Sequence, residues 1–513
     1  NVITSAPSSG ATFVLDNTAP TNQSTVFASS ATKKGAATVT IVSSATASNE
    51  VWFAPAGTTS FTAGATMTKA GSGTATSILA PATAGAYKLY VIDAVGNRSD
   101  ASSATLTVDN TAPTAAITYS PAGPYRNGGS NVTITATFNE AMADAAGVKI
   151  ALSGAATLTA TAMTKTSSTV YTYSYAVPAG DGTQTVALSV GTDVAGNVIT
   201  SAPSSGATFV LDNTAPTNQS TVFASSATKK GAATVTIVSS ATASNEVWFA
   251  PAGTTSFTAG ATMTKAGSGT ATSILAPATA GAYKLYVIDA VGNRSDASSA
   301  TLTVDNTGPS VTNVTAVQNN GSFKAGDQIN ILVNFDEAVI YTPSSGSLTL
   351  TLETGTNDVV VAYSSGSGSQ SLVFTYTVVG GATNHTSADL DYKNTGSLVV
   401  TNPATLQDAQ GNNATLTLVS PGATSSLGSA KNLVIDTTSP TAAITYSPAG
   451  PYNSTETVTI TATFNEALVT TPKVALSGAA ALSAVNMTQT SSTVWTYSYA
   501  VPAGDGTQTV ALS

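Results

Sequence analysis

The chain contains no cysteine and a single histidine. Without cysteine there is no disulfide framework, no thiol nucleophile and no thiolate metal site. One histidine allows at most one Ser-His-Asp triad and argues against a histidine zinc centre. His385 lies in the polar stretch Ala382-Thr383-Asn384-His385-Thr386-Ser387, which reads as a solvated loop. Charge is also scarce, at 8% of residues against ~25% in ordinary soluble domains. The polar surface must therefore be Ser, Thr, Asn and Gly. The formal net charge is −9 and the basic residues are scattered. With no basic stripe to neutralise phosphates, no nucleic-acid partner is expected, and there is no polybasic membrane anchor. No apolar run reaches the ~20 residues that span a bilayer. No segment combines apolar 3.6-residue spacing with caps, so no Gly-rich phosphate loop opens a helix. Nothing singles out a carboxylate pair for glycoside chemistry. These absences point away from an enzyme. The chain opens in mid-pattern with Asn1-Val2-Ile3-Thr4 and no visible signal peptide, so it is expected to be a window on a longer polypeptide.

What is present is repetition. A chain of 513 residues implies several domains. Residues 1–111 recur unchanged as residues 197–307, and 113–189 recur more loosely as 440–513. Both of the looser copies open with Pro-Thr-Ala-Ala-Ile-Thr-Tyr-Ser-Pro-Ala-Gly-Pro-Tyr. A punctuation mark accompanies them: Asp16-Asn17-Thr18-Ala19-Pro20, then Asp109 to Pro113, Asp212 to Pro216, Asp305 to Pro309 and Asp436 to Pro440. The aspartates stand 93, 103, 93 and 131 residues apart. That spacing suits one sandwich of ~100 residues per unit, with one enlarged. Proline after each strand stops the ladder and stiffens the connection.

Inside a unit the period is two. Val132, Ile134, Ala136 and Phe138 alternate with threonines, as do Tyr171, Tyr173 and Tyr175 with Thr172 and Ser174. Tyr87, Leu89 and Val91 alternate with Lys88, Tyr90 and Ile92. Such alternation marks half-buried strands, and Gly, Pro, Asn and Asp gather between them. The sequence thus predicts an all-β fold of tandem immunoglobulin-like β-sandwiches, arranged end to end as an elongated rod. Residues 1–16 read as the terminal strand of a preceding domain. Residues 17–109 form domain A, 110–212 domain B, 213–305 an identical A, and 306–436 a larger domain C. Residues 437–513 form a B-like domain without a counterpart to Val190–Gly196 or to the last strand. Trp52, Trp248 and Trp495 fall on predicted strands and read as packing residues rather than carbohydrate platforms.

The Asp-Asn-Thr-Ala-Pro linkers, Phe-Asn-Glu-Ala at 138–141 and the Asp-x-x-Gly-Asn loops resemble the bacterial Ig-like repeats of giant surface proteins, among them type I-secreted adhesins and S-layer-like proteins. Domain C, with Asn334-Phe335-Asp336-Glu337-Ala338 and Asp408-Ala409-Gln410-Gly411-Asn412, resembles a larger module of the same arrays. The resemblance covers nearly the whole chain. It implies a secreted structural region at the bacterial cell surface, acting as a spacer or stalk that projects a binding part towards a surface receptor the sequence does not name.

The acidic residues are distributed by position. In an Ig sandwich the B–C and F–G loops sit at the pole where the chain comes in. Domain B should bring Asp109, Asn139, Glu140, Asp193 and Asn197 together there. Domain A offers Asp16, Asn49, Glu50, Asp93 and Asn97, and its copy Asp212, Asn245, Glu246, Asp289 and Asn293. Domain C offers Asp305, Asp336, Glu337, Asp408 and Asn412. The last domain keeps Asp436, Asn465 and Glu466. Calcium takes six to eight oxygens from carboxylates, amides and carbonyls, so a Ca2+ ion at each joint would neutralise these crowds. The resemblance adds that Ig-like adhesins bind calcium at their joints. The competing reading is turn chemistry, since Asp and Asn bond nearby backbone amides and Gly supplies positive φ. Glu50 and Glu246 are the weakest members, because they also fit the start of the next strand. A second functional reading is a self-assembling extracellular filament or surface layer, with residues 1–16 supplying the strand that 437–513 lacks. A third, a glycan- or ice-binding module, rests only on threonine-rich strand faces.

Overall fold

The computed structural model describes residues 12–145, 147–380 and 385–513. Among these residues the chain is built from 39 strands and three four-residue helices. It falls into two compact units, Asn1–Ala227 with Ala232–Thr303, and Thr228–Gly231 with Val304–Ser513. The all-β expectation holds. The helices Gln23–Val26, Gln219–Val222 and Leu427–Ala430 are single turns, too short for a 3.6-residue pattern to register in sequence.

In the first unit, Glu50–Ala54 pairs antiparallel with Gly85–Ile92, placing Trp52 opposite Tyr90. Val51, Phe53, Tyr87, Leu89 and Val91 enter one core, closed from the far side by Val26, Phe27, Val39 and Ile78. Phe27 meets Phe53 edge-on at 5.1 Å. Tyr90, on the face that period two assigns to solvent, is also buried. Phe61, from the following loop, packs at a tilt on Trp52 and edge-on against Tyr90 and covers that face. Trp52, Trp248 and Trp495 are all buried, so the packing reading of the tryptophans holds.

Residues 110–212 form two four-stranded antiparallel sheets. In one, Val132–Phe138 lies between Ala115–Ser120 and Val170–Tyr175. In the other, Gly182–Ser189 lies between Lys149–Gly154 and Thr208–Leu211. The alternating Val132, Ile134, Ala136 and Phe138 face Ile150, Leu152, Val186 and Leu188 in a single core. This is an Ig-like sandwich: each sheet turns its period-two apolar face inward. A large apolar side chain fully buried there contributes about 1.5–3 kcal/mol.

In the second unit, Gln328–Thr342 pairs with Val311–Ala316 and Ser369–Thr377. Its register breaks between Asn334 and Val339, around Asp336 and Glu337. The larger core includes Ile329, Ile331, Val333, Leu350, Phe374 and Tyr392. His385 belongs to this region and corrects the solvated-loop reading. It is 6% exposed and lies opposite Gly355 in a β-bridge, with Nδ1 3.5 Å from the Tyr376 hydroxyl. Its neighbours 381–384 lie outside the described residues. Residues 437–513 repeat both sheets of 110–212, with Thr457–Phe464 central in one and Lys473–Gly478 central in the other.

Candidate metal centre

In 110–212 the strand Val132–Phe138 delivers Asn139 and Glu140 to the end of the sandwich that receives the linker Asp109. The loop Asp193–Asn197 arrives at the same place, where Asp193 bridges Met142. The loop is a tight turn: Asp193 N donates to Asn197 O, and Gly196 N donates back to Asp193 O. Gly196 takes φ +100°, a region L side chains rarely enter. Asp193 Oδ1 accepts from Gly196 N at 2.6 Å and Asn197 N at 2.7 Å, and its Oδ2 accepts from Asn197 Nδ2 at 2.8 Å. Asn197 Nδ2 also donates to the linker carbonyl Asp109 O at 2.9 Å. Turn chemistry therefore accounts for part of the loop.

It does not account for all of it. One carboxylate oxygen each from Asp109, Glu140 and Asp193 lies within 4.8 Å of the others. Asp193 and Asn197 are each 2% exposed, and the amide oxygen Asn197 Oδ1 is buried with no hydrogen-bond partner. Burial, then the charges of Asp109 and Asp193, hold the Glu140 carboxyl above the usual glutamate range. Three acids lie together beside the amide of Asn197, whose oxygen has no partner, and buried oxygens without partners are costly.

The same arrangement recurs in the enlarged repeat. Asp305, Glu337 and Asp408 bring carboxylate oxygens within 4.8 Å of one another. Asp408 holds its loop through Gln410 N, Asn412 N and Asn412 Nδ2. Asn412 Nδ2 reaches Asp305 O at 3.0 Å, and Asn412 Oδ1 is again buried and unpartnered. Burial first, then Asp408, Asp305 and Asp336, raises the Glu337 carboxyl. In each case the loop also touches a lysine of the preceding repeat: Lys34 N donates to Ala195 O at 2.8 Å, and Lys230 Nζ to Gly411 O at 3.2 Å.

The remaining candidates divide. Asn139 has its amide oxygen engaged by Thr114 N at 2.8 Å. Both Asp336 oxygens are engaged by Ser310, through N at 2.8 Å and Oγ at 2.5 Å, and these bonds lower its carboxyl. These two residues fasten the neck of the sandwich. In the A repeats, Asp93 with Asn97 and Asp289 with Asn293 make the same turn, and each asparagine donates at 2.9 Å to its linker carbonyl, Asp16 O or Asp212 O. Glu50 and Glu246 do not join them. Each begins a strand, accepts from the indole of Trp52 or Trp248, and pairs with Lys69 or Lys265. Asn49 and Asn245 lie in the turn just before those strands. Among the described residues these repeats thus gather no third carboxylate. In 437–513, Asn465 Oδ1 accepts from Thr441 N, Asp436 Oδ1 from Thr438 N, and Glu466 Oε1 is buried without a partner. Two things separate the five positions: in the A repeats the glutamate is tied to an indole and a lysine, and 437–513 has no counterpart to the Asp193–Asn197 loop that would bring a third acid to Glu466.

No family model and no curated protein matches this chain. Solved structures give only distant likenesses. A chimeric titin Z1Z2 is 15% identical over 36% of this chain and 90% of its own, with a TM-score of 0.16. The plexin A4 extracellular region is 10% identical over 89% of this chain and 44% of its own, at 0.14. Trypsin-activated alpha-2-macroglobulin from Escherichia coli is 9% identical over 90% of this chain and 34% of its own, at 0.14. No helix among the described residues is long and apolar enough to cross a membrane.

Proposed function

We propose that this chain is a non-catalytic structural repeat region of a secreted bacterial surface protein, a spacer of the Ig-like adhesin kind, whose linkers at Asp109 and Asp305 are each clamped by one Ca2+ ion. The observation that carries the reading is the paired recurrence of a three-carboxylate cluster with an unpartnered buried asparagine oxygen beside it. Hard oxygen donors of this kind suit Ca2+. Asp109, Glu140 and Asp193 would hold one ion, with Asp305, Glu337 and Asp408 holding the other. Asn197 Oδ1 and Asn412 Oδ1 are the neutral donors at hand. The ion would tie linker, strand end and loop into one rigid neck.

Titration calorimetry of the chain with Ca2+ tests this. Two sites per chain are expected, one lost in Glu140→Gln and the other in Glu337→Gln. Small-angle scattering should give a stiffer particle with calcium than with chelator. No calcium heat, and scattering curves that superimpose, would sink the reading and leave the acidic residues as turn formers.

A further inference from the structure

In the repeats 17–109, 110–212 and 306–436, a segment near the start lies beside the last strand and runs in the same direction. Ala31–Lys33 pairs parallel with Leu106–Val108, Ala31 opposite Leu106 and Lys33 opposite Val108. Gly321–Phe323 pairs parallel with Leu433–Ile435, and Ser310 forms a further parallel bridge to Thr415. In 110–212 the contact is split into two parallel bridges, Ala116 to Ser205 and Tyr125 to Leu211. At the first, Ile117 N donates to Ser205 O at 3.0 Å and Ser204 N to Ala115 O at 2.8 Å. At the second, Tyr125 N donates to Val210 O at 3.0 Å and Asp212 N to Tyr125 O at 2.8 Å. Each last strand ends at the residue before a linker aspartate: Val108, Leu211 or Ile435.

Parallel pairing fixes what tension does. A pull on the linker before a repeat draws the opening segment towards its own N-terminus. A pull on the linker after it draws the last strand towards its own C-terminus. For parallel neighbours these pulls are opposed and lie along the strands, so the pair must slide, with its evenly spaced bonds loaded together. An antiparallel pair of first and last strands would instead open from one end, bond by bond. Leu106, Val108, Leu211, Leu433 and Ile435 are buried, which keeps water from replacing bonds as they stretch.

The asparagine after the linker aspartate extends the contact. Gly35 N donates to Asn110 Oδ1 at 2.7 Å, and Asn110 Nδ2 to Ala82 O at 2.8 Å. Asn127 N donates to Asn213 Oδ1 at 2.5 Å, and Asn213 Nδ2 to Gly180 O. Each side chain reaches back into the repeat that the chain is leaving. After 306–436 the position is Thr437, whose Oγ1 donates to His385 O at 3.1 Å. We propose that the parallel pair, latched by the residue after the linker aspartate, is a shear clamp that lets each of these repeats bear tension through its two linkers. The use of such a clamp rests on the spacer reading and adds to it that the spacer carries load. The clamp contains none of the neck carboxylates, so it acts with or without calcium.

The chain has no cysteine, so introduced pairs give unique handles for single-molecule pulling on the 1–513 polypeptide. Thr111→Cys with Thr214→Cys loads 110–212 through its linkers. Thr111→Cys with Ala202→Cys pulls on both paired segments at the Ala116–Ser205 end and peels them apart. All three positions are exposed. The linker geometry should need several times the force of the peeling geometry, in calcium and in chelator alike. Asn213→Ala should lower the linker force and leave the peeling force unchanged, because peeling starts at the end far from the latch; a merely structural asparagine would lower both. Equal forces in the two geometries, or an equal effect of Asn213→Ala on both, would overturn the proposal. So would a difference seen only with calcium, which would assign the load to the neck ion. Any of these results with calcium binding intact would remove the clamp and keep the spacer, whereas loss of calcium binding alone would leave the clamp standing.

Discussion

Replacing Glu140 by Gln should change stability in opposite directions with and without calcium. The carboxylate oxygens of Asp109, Glu140 and Asp193 lie within 4.8 Å of one another. Two unit charges at that distance repel by about 1 kcal/mol at the dielectric of water and about 3–4 kcal/mol at an effective dielectric near 20. Glu140 is half-buried and salt screens its exposed side, so relief of its two repulsions is worth about 1–2 kcal/mol. In chelator, Glu140→Gln should therefore stabilise 110–212 by that amount. With calcium at a hundred times its Kd, the bound ion stabilises the wild type by about 2.7 kcal/mol. Loss of one charged donor removes most of this and outweighs the relief. Residues 110–212 contain no tryptophan, so tryptophan fluorescence does not report on them. Hydrogen exchange across a denaturant series is the assay, read on peptides that include Arg126–Asn131. That stretch distinguishes Val132–Phe138 from the matching strand at 458–464. Destabilisation of equal size in both conditions would mean that Glu140 is an ordinary structural side chain, and the ligand reasoning would be wrong.

The pH response has a definite sign. Glu140 and Glu337 are raised in the folded chain from an ordinary value of 4.5, by burial first and neighbouring carboxylates second. A raised acid destabilises the fold once ionised. In chelator, stability should therefore fall as pH climbs from 4.5 through the raised folded values and level off above them, and calcium should abolish the fall; a flat chelator profile by hydrogen exchange would contradict it. Phe209→Ala removes the ring at the centre of three tyrosines and should cost 110–212 about 3–5 kcal/mol, leaving the tryptophan-reported melting of the other repeats unchanged. Glu50→Gln breaks a pair whose side chains are 42% and 40% exposed; it should cost less than about 1 kcal/mol and leave the calcium isotherm untouched, whereas any loss of calcium stoichiometry would return Glu50 to the site.

Period two and repetition were legible because each is a property of neighbouring residues along the chain. A strand half-buried on one face must alternate, so Val132, Ile134, Ala136 and Phe138 declared their side before any partner was known. The Asp-x-x-Gly-Asn turn was equally legible, since it closes within five residues and its glycine has a conformational reason to be there. The one-turn helices were not, because a single turn carries no period. Tyr90 read as a surface residue because Phe61, which covers it, arrives from a loop whose path the alternation does not encode. His385 read as solvated because its own stretch is polar, while its neighbours come from elsewhere in the chain: Tyr376 from the strand Ser369–Thr377 and Gly355 from the segment after Leu348–Glu353.

By itself, the sequence determined an all-β chain of repeated sandwiches, the five linkers, and the residues from which any metal site would have to be drawn. Only the tertiary structure decided which of those residues meet. Glu140 and Glu337 lie next to two aspartates each, while Glu50 and Glu246, one position into a strand, turn to a lysine and an indole. Local pattern fixes which face a side chain prefers, but convergence depends on where separate strands end and on the register between them. Those are set by contacts far apart in the chain, such as Asn197 with Asp109, 88 residues away, and Asn412 with Asp305, 107 residues away, and period two is silent about them.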